Sequence, residues 1–134
     1  MNAFGIIGAV FAGLAAVIHV AIFALQSVLW SRPTTWRRFG LGSQRDADVV
    51  RPMAFNQGFY NLFLALGAGA GLVLVGVPSL EGAGFAVLLF ALLSMVLAAT
   101  VLITSSPALS RAAMLQGAAP LIGVVLLIVG AATR

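Results

Sequence analysis

The chain has 134 residues, 62% of them hydrophobic and only 7% charged, with a mean hydropathy of +1.15. Soluble domains carry roughly 25% charged residues, so this composition excludes a soluble fold and points to an integral membrane protein. The formal charge of +4 rests on arginines set beside apolar runs, without a DNA-binding pattern, so nucleic acid is excluded as a partner and membrane lipids are favoured.

The first apolar run spans Phe4 to Trp30. Met1 to Phe4 contains no Lys or Arg and the run outlasts a signal-peptide core, which predicts a retained transmembrane helix. At about 100° per residue, His19, Phe23, Gln26 and Trp30 fall within an arc of roughly 60° and share one face. Gly5, Ala9 and Gly13 repeat at four-residue spacing, which suits close helix approach.

Residues 31–52 form the one sizeable polar connection. Trp30 and Trp36 are expected at headgroup level while Arg37 and Arg38 meet phosphates, and Phe39-Gly40-Leu41-Gly42 supplies a bendable apolar patch. The segment reads as an interfacial lid or, more plainly, as a topology anchor. Asp46 and Asp48 are expected to cap or to pair with Arg45 and Arg51, and neither reads as a catalytic acid.

The second span, residues 53–76, carries Asn56 below Tyr60 and Gln57 below Asn61, each four apart, so polar groups cover about 140° of its surface. Gly67, Gly69 and Gly71 follow. The third span, residues 84–104, is smooth from Val87 to Val101 and ends on Thr100 and Thr104. The fourth, residues 112–133, holds Gln116, Pro120, Gly123 and Gly130. Pro120 cannot donate to the Gln116 carbonyl, which predicts either a kink that opens this half or a proline used for packing alone.

Four runs of this length, each near the ~20 residues that cross a hydrocarbon core, consume the chain. The expected fold is all-α: one domain, residues 1–134, forming a four-helix transmembrane bundle. A β-barrel is disfavoured because the segments are apolar all round. Arg32, Arg37, Arg38, Arg45 and Arg51 in the first connection and Arg111 in the third lie on one side, which the positive-inside rule makes cytoplasmic. The N-terminus, the Glu81 turn and Arg134 then lie outside, an N-out/C-out, multi-pass arrangement. The bias of six arginines against one argues against dual topology.

Hydrogen-bonding side chains are costly in lipid and must face other helices, water or a ligand. His19, Phe23, Gln26, Asn56, Gln57, Tyr60, Asn61 and Gln116 are therefore the candidate ligand-binding residues, all in the half nearer the arginines, while the glycines zip the other half. His19 and Tyr60 are the available acid/base groups. No Ser-His-Asp set, no cluster of three metal ligands and no phosphate loop is present, and cysteine is absent, so no metal site and no cofactor is expected.

These same residues carry a resemblance. The run His19-Val20-Ala21-Ile22-Phe23 with Gln26 and Trp30, then Phe39-Gly40-Leu41, and above all residues 56–65, Asn-Gln-Gly-Phe-Tyr-Asn-Leu-Phe-Leu-Ala, is similar to the domain-of-unknown-function family 1304, small bacterial four-helix membrane proteins. Gln116 and Pro120 match that family's last helix more weakly. The resemblance spans almost the whole chain and implies a fold and a place in a bacterial cytoplasmic (inner) membrane without implying an activity. Where members carry a glutamate seven residues after the histidine, this chain has Gln26, which counts against a His–carboxylate mechanism.

The favoured function is binding of a small lipid-like or aromatic ligand, such as a quinone-like molecule, against the amides and the aromatic walls of Phe23, Phe55, Phe59, Phe63 and Trp30. Three alternatives stand beside it: helix-to-helix bonding alone, an accessory subunit of a larger membrane complex with Val87 to Val101 facing a partner, and an acid/base enzyme using His19; a homo-oligomer is a further possible assembly.

Overall fold

A computed structural model describes residues 2–133. Among them are five α-helices and no strand: α1 (Ala3–Phe23), α2 (Pro33–Trp36), α3 (Gln44–Val75), α4 (Glu81–Ser105) and α5 (Ser110–Ala132). Four stretches, Ala3–Val28, Gln44–Val75, Pro78–Ser105 and Pro107–Ala132, are long and apolar enough to cross a membrane. Arg134, assigned above to the outer side, lies outside the described residues.

The four long helices form a ring in chain order. Each packs along its two neighbours, α1 on α3 and α5, α4 on α3 and α5, while α1 lies diagonal to α4 and α3 diagonal to α5. The short α3–α4 and α4–α5 connections favour this up-and-down order, because consecutive helices joined by a few residues must lie antiparallel and adjacent. The core is built from small side chains and a few large ones: Ala12, Ala15, Ala68, Ala91 and Ala119 surround Leu88, Leu92, Met95 and Leu127.

Backbones touch at the end away from the arginines. A Cβ on Gly8 would stand 2.9 Å from the Leu127 nitrogen, one on Gly130 2.6 Å from the Gly5 nitrogen, and one on Gly71 2.7 Å from the Leu88 nitrogen. Only hydrogen fits at these positions, and the close approach recovers dispersion contact across the helix pairs. The expected Gly5–Ala9–Gly13 stripe is shifted in register: Gly13 faces open space, as does Gly69, and the first helix packs through Gly5, Gly8, Ala12 and Ala15. Asn2 closes this end. Its Oδ1 accepts from the Gly5 nitrogen and its Nδ2 donates to the Gly130 carbonyl at 3.1 Å and to Thr133 Oγ1 at 2.8 Å.

At the arginine end the structure departs from the sequence reading in several places. The first α-helix stops at Phe23 and continues as a π-helical turn over Ala24–Val28, with the Leu29 nitrogen bonded to the Ala24 carbonyl at 2.8 Å. Trp30 therefore lies beyond the helix and off the face of His19 and Phe23. The polar connection is mostly folded. It holds α2, a 3-10 turn at Arg37–Phe39 that ends on left-handed Gly40 (φ 83°), and the first turns of α3, which begins at Gln44 and runs through Pro52.

Trp30 and Trp36 are 6% and 3% exposed and form a second core with Ala47, Ala54, Phe39, Leu41 and Val50. Two large rings gain more from packing under the start of α3 than from lying on the surface. Ser43 caps α3, accepting from the Asp46 nitrogen and donating to Asp46 Oδ2, and Asp48 accepts from Gln44. The two carboxylates thus find uncharged partners rather than Arg45 and Arg51, and Asp46 in the first turn suits the positive end of the helix dipole. Pro120 sits inside α5 with its ring fully buried.

Candidate functional site

The polar residues separate into an inner pair and an outer face. Successive helical positions differ by about 100° in azimuth, so neighbours in sequence on α3 cannot share an environment. Asn61 lies on the same face as Ala54, Gly58, Ala65 and Ala68 and is buried with them. Its Nδ2 donates to Gln26 Oε1 across the α1–α3 interface at 3.1 Å and to the Gln57 carbonyl one turn back at 2.9 Å. Both donor hydrogens of the Asn61 amide are thereby used.

The π-helical turn makes this contact. One extra residue in the turn rotates the end of the first helix, so that Gln26 meets Asn61 and Ser27 faces Gly58. A Cβ on Gly58 would collide with Ser27 Oγ and stand 3.1 Å from Gln26 Cβ. Ser27 Oγ donates to the Phe55 carbonyl at 2.9 Å. Ser27 was not among the residues singled out from the sequence. The available signal was its position directly after Gln26 and the glycine interrupting the Asn-Gln-Gly-Phe-Tyr-Asn run.

His19 lies farther inside, 2% exposed and among the largest fully buried side chains, beside α1 residues Ala12 and Ala15 on the inner face. Its Nδ1 donates to the Ala15 carbonyl at 2.9 Å. A carbonyl only accepts, so this bond places a proton on Nδ1 and leaves Nε2 of a neutral ring as an acceptor. The α1–α5 register set by Gly5 against Gly130 and Ala12 against Gly123, continued about two turns, brings half-buried Gln116 level with His19. Among the described residues the Gln116 side chain makes no hydrogen bond to Gln26, Asn61 or His19.

Asn56, Gln57 and Tyr60 are exposed, Tyr60 by 56%. They do not join the inner pair. Asn56, Tyr60 and Phe63 fall within about 60° of one another on the outward side of α3. An aromatic row runs beside them: Phe55 to Phe59 at 5.0 Å between centroids, Phe59 to Phe63 at 6.2 Å, and Phe23 of α1 edge-on to Phe59 at 5.2 Å. Trp30 does not contribute to this wall. Its Nε1 donates to the Ala47 carbonyl at 2.9 Å and its ring packs on Phe39. Thr100 and Thr104, at the end of α4, donate back to their own helix.

His19 and Tyr60 are not brought together, since one points into the bundle and the other away from it. No group of three or more His, Cys, Asp or Glu that could hold a metal is present among the described residues. Under the arginine cap, the buried Trp36 Nε1 has no hydrogen-bond partner, and the Arg37 guanidinium stands 5.3 Å from the Trp36 ring.

A family model described as protein of unknown function (DUF1304) matches residues 13–128. No curated protein and no solved structure matches the chain.

Proposed function

Because the chain belongs to the family described as protein of unknown function (DUF1304), we propose a function from its own geometry: it is a multi-pass protein of the bacterial cytoplasmic membrane, N-out and C-out, that takes a small lipid-like or aromatic molecule from the inner leaflet against the outward face of α3. The observation that carries this reading is the exposure of Asn56, Gln57 and Tyr60 on the otherwise apolar outward surface of residues 53–75, beside the Phe55–Phe59–Phe63 row. Amides and a phenol in hydrocarbon seek polar partners, and an amphipathic molecule supplies a polar group to them and an apolar body to the rings.

The test is retention. Asn56→Leu combined with Tyr60→Phe should abolish a small molecule that co-purifies with the protein in mild detergent, with the unfolding midpoint unchanged. Unaltered retention, or loss of stability from an empty protein, would refute the reading. The orientation has its own check, since the chain lacks cysteine. Gly42→Cys and Gly82→Cys both add a side chain into open space. An impermeant maleimide applied to intact cells should label only the Gly82→Cys protein.

The inner pair favours a second, compatible role. The Gln26–Asn61 bond and the Ser27–Gly58 contact join α1 to α3, as expected for amides that set helix packing, each bond contributing on the order of 0.6–2 kcal/mol. Acid/base catalysis gains no comparable support, because the His19 ring is enclosed and its Nδ1 is engaged by Ala15.

A further inference from the structure

Between α4 and α5, on the outward side of the bundle at the arginine end, lies an open groove of about 270 Å³. Small residues Ala99 and Gly117 line its depth, and Ile103, Met114 and Leu121 stand more exposed along it. Its one polar side chain, Thr100, donates to the Val96 carbonyl, so the walls ask for no hydrogen bond and suit hydrocarbon. Both helices are of membrane-crossing length, so whatever fills the groove arrives from the bilayer.

The groove has a charged end. Ile103 is near the end of α4, and Arg111, three residues before Met114 and on the same side of α5, stands exposed over the rim. The acids lie elsewhere: Glu81 opens α4 at the opposite end of the bundle, and Asp46 and Asp48 accept from Ser43 and Gln44 on α3, diagonal to α5. An uncompensated cation at the mouth of a hydrocarbon-lined slot complements a molecule with an anionic head and an apolar tail.

We propose that the α4–α5 groove binds an anionic phospholipid, with one acyl chain lying between Ile103 and Leu121 and the phosphate meeting Arg111. The site is separate from the α3 face, which lies across the bundle. Electrostatic attraction of about 1 kcal/mol per basic residue corresponds to roughly a five-fold preference for an anionic over a zwitterionic head.

The full chain, reconstituted in vesicles with equal phosphatidylglycerol and phosphatidylcholine and extracted gently, is examined by native mass spectrometry. The wild type should retain phosphatidylglycerol preferentially. Arg111→Gln should lower that preference about five-fold, whereas Arg45→Gln, the same charge change on α3, should leave it intact. Ala118→Phe, which fills the groove from an exposed position, should lower retention of both lipids. The proposal is overturned if Arg111→Gln keeps the wild-type preference, or if both arginine variants reduce it equally. It is overturned also if Ala118→Phe changes self-association and leaves lipid retention as it was, which would assign the groove to a second copy of the chain.

Discussion

Gly58→Ala tests the α1–α3 junction most sharply, because two opposing effects act at one position. In an exposed helix interior, replacing glycine by alanine stabilises by about 1 kcal/mol. Here the new Cβ would collide with Ser27 Oγ and approach Gln26 Cβ to 3.1 Å and Ser27 Cβ to 3.2 Å. Overpacking of this kind costs about 1–3 kcal/mol, and displacing the hydroxyl from the Phe55 carbonyl forfeits a further ~0.6 kcal/mol typical of membrane hydrogen bonds. The net expectation is destabilisation by about 1–2 kcal/mol. Ser27→Ala alone should cost only about 0.6 kcal/mol. In the double variant the obstructing oxygen is gone and the remaining contacts need a shift of a few tenths of an ångström, so the alanine's helix preference is recovered. The pair should therefore be non-additive, with a coupling of about 2–3 kcal/mol. Unfolding of the four proteins in mixed micelles by a denaturing detergent, followed by circular dichroism, gives the cycle. Additive effects would refute the junction as described, since they would mean that residue 58 does not pack on Ser27.

The other expectations rest on which side chains the fold turns inward. Asn61→Leu should lower stability by about 0.6–2 kcal/mol by breaking the bond to Gln26, while Asn56→Leu should leave the unfolding midpoint unchanged or raise it; equal losses would contradict the inner and outer division. The two tryptophans should respond oppositely to phenylalanine. Trp30→Phe loses the bond to the Ala47 carbonyl and should cost about 1 kcal/mol, whereas Trp36→Phe removes an unpaired buried N–H and should be neutral or stabilising in the same unfolding assay. Asn2→Ala should cost about 1 kcal/mol through the lost cap, and amide exchange should rise at both chain ends because Asn2 also holds Gly130 and Thr133.

Much of this protein is legible in one dimension. Runs of apolar residues near membrane-crossing length predict the four long helices, because backbone groups in an apolar medium must bond within their own segment. The expectation that small residues pack the end away from the arginines also agrees with the Gly130–Gly5 and Gly71–Leu88 contacts. The individual stripe was less legible: Ala9 and Gly13 have the spacing, yet Gly5, Gly8 and Ala12 make the contact. Four-residue spacing drifts around a helix, and a choice among neighbouring stripes depends on where the partner helix stands.

The site shows the same division. That His19, Gln26 and the amide run of the second span need polar partners follows from their chemistry, since hydrogen-bonding groups among apolar residues are costly to leave unpaired. Which of them find each other depended on the π-helical turn at Ala24–Val28, which no periodicity in the run announces, and on the burial of Trp30 and Trp36 beneath the start of α3. Composition and run length determined the helices and their number because those are properties of each segment alone. Tertiary structure decided that Asn61 faces Gln26 while Asn56 and Tyr60 face outward, because a helix's rotation about its axis is set by the shapes of the helices it packs against.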